Sequence, residues 1–229
     1  MTALNHDPQS RIGLFGGTFN PIHLGHVQVA RDVLHRYQLT AVQFIPSALP
    51  PHKTEGILAP AADRFAMACS ALADEPALKV SDIEIRRSGP SYTIDTLHRF
   101  VAEQPNEPLI YFLVGMDAFL EIHTWKSCRQ LFDLAAFIVM TRPRAAEPGQ
   151  DMKTLALQFA RKRISDAYEL STEGDSLVHP NKQVIHLATV TPMDISSSRI
   201  REMIQKGESI HRWVSPTVEA YIESKGLYR

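Results

Sequence analysis

A short apolar run, Arg11-Ile-Gly-Leu-Phe15, stops at two glycines and passes at once into a helix-forming stretch. This strand–glycine–helix junction constrains the fold more than any other feature of the chain. Gly16 and Gly17 let backbone N–H groups come close to a ligand. The helix N-terminus behind them favours an anion. From about Ile22 to Tyr37, Leu24, Val27, Ala30 and Leu34 fall at helical spacing.

The same alternation continues along the chain. Ala41–Ile45, Leu78–Ile85, Leu109–Val114, Ala135–Met140 and Val184–Leu187 read as further strands. Asp63–Leu72, Tyr92–Val101 and Asp151–Ser165 read as helices, with Ser91 or Thr93 near the cap of the second. Ser196-Ser197-Ser198 begins a helix through Ile200–Ile204, and Pro216–Ser224 closes the chain with Gly226 as its C-cap. Asp166–Lys182 is polar and reads as an exposed or mobile excursion. Strands alternating with helices predict an α/β fold: a parallel sheet with helices on both faces. Ligands of such sheets sit beyond the carboxyl ends of the strands. Gly-Gly-Thr-Phe-Asn-Pro, Pro-Pro-His-Lys, Gly-Met-Asp and Thr-Arg-Pro each follow a strand, which places them along one rim.

Composition narrows the class. The chain has 229 residues, 44% of them apolar, and 24 Lys+Arg against 25 Asp+Glu. That balance argues against a polyanion-binding surface and leaves room for a small phosphate pocket. Two cysteines, Cys69 and Cys128, make neither a disulfide framework nor a four-ligand zinc set. No apolar run reaches the roughly 20 residues of a membrane span. Met1–Ser10 is a polar extension without an apolar core, so the expected compartment is the cytoplasm.

Five groups of residues carry candidate chemistry. His23 and His26 lie three apart behind the glycine turn, and Gly25 between them leaves room beside their shared face. Two imidazoles over phosphate-binding backbone suit a polyphosphate whose charge grows during reaction. No third ligand stands at a metal-site spacing, so no protein-held metal is expected. Ser197 and Ser198 open a helix, and Arg201 is placed to reach back toward the same anion. Lys53 ends a proline-stiffened loop and can meet a phosphate as a point charge, although surface lysines are commonly just solvated. Ser91-Tyr-Thr-Ile-Asp-Thr96 begins a helix, which makes it either a cradle for an anion or plain capping. Asp117 follows a sheet strand and can hold ribose hydroxyls, while Trp125 is either a stacking surface for a flat ring or a core residue.

Gly16-Gly-Thr-Phe-Asn-Pro-Ile-His-Leu-Gly-His26 together with Ile195-Ser-Ser-Ser-Arg-Ile-Arg201 resembles the nucleotidylyltransferase superfamily. The Pro-Pro-His-Lys53 loop, Ser91-Tyr-Thr-Ile-Asp-Thr96, Gly115-Met-Asp117, Thr141-Arg-Pro143 and the ending Trp213–Tyr228 narrow the likeness to the bacterial nicotinate-nucleotide adenylyltransferases. The resemblance implies a Rossmann-like parallel α/β sheet with a small helical C-terminal part at residues 195–229, all within one domain of residues 11–229. It implies that nicotinate mononucleotide and ATP, with Mg²⁺, give nicotinate adenine dinucleotide (deamido-NAD) and pyrophosphate. Carried over by motif, Gly16, Gly17 and Thr18 line the nucleotide phosphates. His23 and His26 hold the ATP phosphates, and Ser197, Ser198 and Arg201 grip the triphosphate. Thr93 and Trp125 face the nicotinate ring and its carboxylate, and Asp117 stands where the two nucleotides meet. Lys53 and Arg142 are further phosphate contacts.

Neighbouring readings differ in stated features. Phosphopantetheine adenylyltransferases share the first motif but lack the Ser-Tyr-Thr set. A class I aminoacyl-tRNA synthetase shares His-x-Gly-His, but its lysine-rich second signature is missing here. Preference for the amide nucleotide turns on a few donors that a sequence does not place. A nucleotide sensor that binds ATP without turnover would keep the same pocket.

Overall fold

The parallel strands of the sheet are those that the apolar runs predict. In the computed structural model, which describes residues 10–50, 58–141, 151–191 and 193–229, β1 (Arg11–Gly17) lies between β2 (Ala41–Pro46) and β4 (Leu109–Gly115). Phe15 is level with Phe44 on one side and Leu113 on the other, so the glycine turn starts at the same height as both neighbouring strand ends. β3 (Leu78–Val80) flanks β2, and β5 (Ala136–Thr141) and β8 (Ile185–Thr189) continue beyond β4, all parallel. The order β3-β2-β1-β4-β5-β8 reverses direction between β1 and β4. Open α/β sheets bind ligands at such a reversal.

Both faces of the sheet are covered, as near-continuous apolar strands require. On one face α1 (Leu24–Arg36), α2 (Ala61–Ala71), α7 (Ser197–Gln205) and α8 (Pro216–Lys225) pack Val27, Met67, Ile200 and Ile222 against Phe15 and Phe44. On the other, α3 (Thr93–Ala102), α4 (Met116–Glu121), α5 (Cys128–Leu134) and α6 (Met152–Arg163) cover Leu14, Phe112 and Phe137. Asp151 caps α6 by accepting the N–H groups of Lys153 and Thr154 at 3.1 and 3.2 Å. Gly226 ends α8 at φ 60°, the left-handed cap that its sequence predicts.

Three expectations change. The strand expected over Leu78–Ile85 ends at Val80, where Ser81 N–H makes the last bond to Phe44 O and the chain turns. The turn buries Ile83 and Glu84, which alternation had read as strand. The excursion expected at Asp166–Lys182 is part of the sheet. β6 (Glu169–Leu170) and β7 (Ser176–Val178) form an antiparallel hairpin against β8, with Tyr168 buried beneath it. Finally, the N-cap of α3 is Tyr92, without a side-chain bond. The Ser91 hydroxyl instead accepts the N–H groups of Ala48 and Leu49 at 2.9 and 3.3 Å, tying α3 to the loop after β2.

Candidate active site

The rim at the β1/β4 reversal carries two adjoining surfaces with the Gly16-Gly17-Thr18 backbone between them. Gly17 has no room for a side chain: a Cβ there would lie 2.9 Å from the Phe19 ring. Phe19 itself has φ 47°, so the turn is held by its surroundings.

On the α1 side, His23 is the N-cap and His26 stands in the first turn. Their rings stack, with centroids 3.6 Å apart and planes 24° from parallel. His26 Nδ1 accepts the His23 N–H at 3.2 Å. That bond places the proton of the neutral ring on Nε2, which becomes a donor. The room left by Gly25 is filled by the His23 ring and by Ile195, at 3.0 and 3.3 Å from where a Cβ would stand. Ile195 leads into α7, so a side chain at position 25 would push the two outer motifs apart.

Those motifs join directly. Ser197 Oγ donates to Pro21 O at 2.9 Å, and Arg201 Nη1 donates to Asn20 O at 2.9 Å. Arg201 Nη2 reaches Ser198 Oγ at 3.3 Å. Residues some 180 positions apart in sequence thus share one loop. Asn20, buried, is the hub: its Oδ1 accepts Ala59 N–H at 3.0 Å and Tyr228 O–H at 2.9 Å.

Beneath the loop lies a residue that pattern reading missed. Arg64 has no exposed surface. Its guanidinium donates to Thr18 O at 2.7 Å, Ala59 O at 3.0 Å and Ala48 O at 3.2 Å. Burial holds its pKa below the ordinary arginine value, with Tyr228 and Glu84 acting the other way. Its only sequence signal was a charge inside the apolar face of α2.

On the α3 side a cleft of about 380 Å³ opens. Its walls include Thr18, Tyr92, Thr93, Phe112 and Trp125, and also Glu84. Trp125 is half-buried and stands edge-on to Phe112, with centroids 6.2 Å apart, so it serves both core and cleft. Lys126, also on the wall, pairs with Asp95 at 3.0 Å and lies 4.9 Å from the Tyr92 ring centre. Neither Glu84 nor Lys126 belongs to the motifs read from the sequence.

Asp117 sits in the first turn of α4, directly after β4, and is exposed at the rim rather than in the cleft wall. Lys53 and Arg142 lie outside the described residues, as do His52 and Arg144. Among the described residues no group of three His, Cys, Asp or Glu side chains is placed to hold a metal ion.

Comparison with known proteins fits this layout. Residues 14–203 match the cytidylyltransferase-like family. A probable nicotinate-nucleotide adenylyltransferase of Desulfatibacillum aliphaticivorans is 40% identical over 220 residues, covering 95% of this chain and 99% of that protein. A probable enzyme of the same name from Pseudomonas fluorescens is 37% identical over 222 residues, covering 96% and 97%. This chain belongs to the nicotinate-nucleotide adenylyltransferases. The fold of this adenylyltransferase is also that of the Plasmodium falciparum nicotinic acid mononucleotide adenylyltransferase complexed with NaAD, at a TM-score of 0.71 and 20% identity over 96% of this chain and 97% of that one.

Proposed function

We propose that the cleft binds nicotinate mononucleotide and the His23–His26–Arg201 face binds ATP, and that the chain joins them into nicotinate adenine dinucleotide, releasing pyrophosphate. The observation that carries this is the shared Gly16–Thr18 turn, with an aromatic cleft on one side and stacked histidines, serines and an arginine on the other. The named relatives support the substrates.

The acceptor phosphate is itself the nucleophile, so no serine, cysteine or carboxylate base is needed. An oxygen of the mononucleotide phosphate bonds to the α-phosphorus, and the bond from that phosphorus to the β-phosphate bridging oxygen breaks. Both electrons leave with pyrophosphate. The chain contributes positioning and charge stabilisation. In this reading His26 Nε2–H donates to the α-phosphate, and His23 lines the site beside it. Ser197, Ser198 and the remaining N–H groups of Arg201 meet the triphosphate and the departing pyrophosphate. Gly16, Gly17 and Thr18 present backbone to phosphate, Lys53 and Arg142 add charge, and Asp117 faces the junction. Tyr92 and Trp125 bracket the ring, and the N–H groups that open α3 at Thr93 take its carboxylate. Mg²⁺ enters with ATP as part of the substrate, consistent with its preference for phosphate oxygens and water over a protein cage.

We further read residues 11–229 as one domain, with residues 195–229 as its helical C-terminal part. α7 and α8 share a core with α1 and α2, which supports this. No helix among the described residues is long and apolar enough to cross a membrane. A cytoplasmic placement fits two free cysteines.

Pyrophosphate release with Mg²⁺ and ATP tests the assignment, comparing nicotinate mononucleotide, nicotinamide mononucleotide and phosphopantetheine. The expected result is strong preference for the nicotinate form. Preference for another acceptor overturns the reading of the cleft, and ATP binding without release overturns the reaction.

A further inference from the structure

Glu84 is a buried acid that this reaction scheme does not use. It follows β3, is 7% exposed, and lies in the cleft wall with Tyr92, Thr96, Phe112 and Trp125. Its Oε1 accepts the Thr96 hydroxyl at 2.7 Å. Its Oε2 is buried and accepts no hydrogen bond from the described residues. No ion pair to Glu84 forms among them either. Lys126 is engaged by Asp95, and Arg64, whose charge is close enough to interact with Glu84, gives its donors to three backbone carbonyls and none to Oε2. An acid oxygen buried without a donor is costly, and a further positive charge in the cleft would lower that cost.

The surroundings define that cation. Three aromatic rings form the walls, which suits a flat cation. Donor groups on a ligand would pair with Oε2 as a hydrogen bond. A quaternary ring nitrogen has no hydrogen to give and is met by charge alone. The pyridine ring of nicotinate mononucleotide is such a group, because its nitrogen is bonded to ribose and carries a positive charge. Resting on the assignment of the cleft to that nucleotide, we propose that Glu84 is a specificity-determining residue that reads the positive charge of the pyridinium ring. Recognition of the ring's charge is then separate from recognition of its carboxylate. The cleft therefore excludes flat, uncharged rings that would otherwise stack equally well between Tyr92 and Trp125.

The competing role is structural: through Thr96, the acid steadies the start of α3 and complements its dipole. The two roles separate with a substrate pair that differs only in the oxidation level of the ring, the change in their ratio between wild type and variant isolating the charge from the altered ring shape. Nicotinate mononucleotide and its 1,4-dihydro form share carboxylate, ribose and phosphate, but the reduced ring is neutral. Their kcat/KM values with ATP are compared in the wild type, Glu84→Gln and Thr96→Val. Gln keeps an acceptor for Thr96 and removes the charge; Val removes the bond and keeps the charge. The wild type should prefer the charged ring, and Glu84→Gln should narrow that preference about tenfold, the scale of one nearby charge in a partly screened site. Thr96→Val should leave the ratio within about twofold of wild type, since only a neutral hydrogen bond is lost. Equal losses for both substrates in Glu84→Gln overturn the proposal, as does a ratio in Thr96→Val that falls as far as in Glu84→Gln. So does a wild type that uses both rings alike, which leaves the assigned reaction standing. A wild type that uses neither overturns the reaction and the inference together.

Discussion

Arg64 shows how one side chain can organise a site it does not border. Its guanidinium fans to three carbonyls on three segments: the glycine turn at Thr18, the loop at Ala48 and the lead-in to α2 at Ala59. No shorter or single-headed donor reaches all three. Arg64→Met should lower stability by about 3 kcal/mol or more, because buried carbonyls lose their partners; urea unfolding measures it. In the proposed reaction His26 and Arg201 act on the chemistry instead. Each substitution to Ala should leave the far-ultraviolet circular dichroism unchanged and cost on the order of 10²–10³ in turnover, as for other preorganised charge stabilisers. Near-wild-type pyrophosphate release in both variants would remove them from the reaction. Sequence spacing placed the two histidines on one face. The direction of their hydrogen bond, which makes Nε2 the donor, came only from the fold.

At the scale of elements, strand ends and helix starts were legible where apolar runs are long. β1, β2, β4 and β5 lie close to where their patterns put them, since each is buried on both faces. β6 and β7 were not legible, because two and three residues are too few to show a period. β7 is held by β8, which it flanks, and β6 pairs with β7 beyond it. α4 and α5 were missed for the same reason, at six and seven residues. β8 also carries a test. His186 lies between the rings of Tyr37 and Tyr111, at 5.0 and 6.0 Å, with Asp175 and Arg36 close enough to act on it. Burial lowers its pKa below the ordinary imidazole value. The neutral ring is therefore favoured in the folded state. Its contribution is whole above the unfolded pKa, near 6.5, and is lost as pH falls below it, by at most about 1.4 kcal/mol per pH unit. Urea midpoints measured between pH 7.5 and 5.5 should fall less steeply in His186→Gln than in the wild type.

Across the whole molecule, the C-terminus closes back on the first turn. Tyr228 is buried and donates to Asn20 Oδ1, Tyr221 donates to Asp63 at 2.8 Å, and Trp213 O accepts Leu24 N–H at 2.8 Å. Burial also drives the Tyr228 phenol pKa well above its ordinary value, so it remains a donor. Tyr228→Phe should cost about 1 kcal/mol, the worth of one buried hydrogen bond, seen as a lower melting temperature. Removing residues 227–229 should cost more and reduce turnover as well, because the Asn20 carbonyl that Arg201 holds belongs to the same hub.

Periodicity and turn chemistry are local, so the sequence alone determined the α/β alternation, the glycine turn and the residue types needed for phosphate. Which of those residues meet is not local. Packing on opposite faces of the sheet brought Ser197 and Arg201 onto the Asn20–Pro21 backbone and set Glu84 in the wall beside Trp125. Arg64 and Glu84 had no motif, because a buried charge is recognisable only by what surrounds it. Tertiary structure decided their roles by withdrawing them from water and choosing which partners they were given.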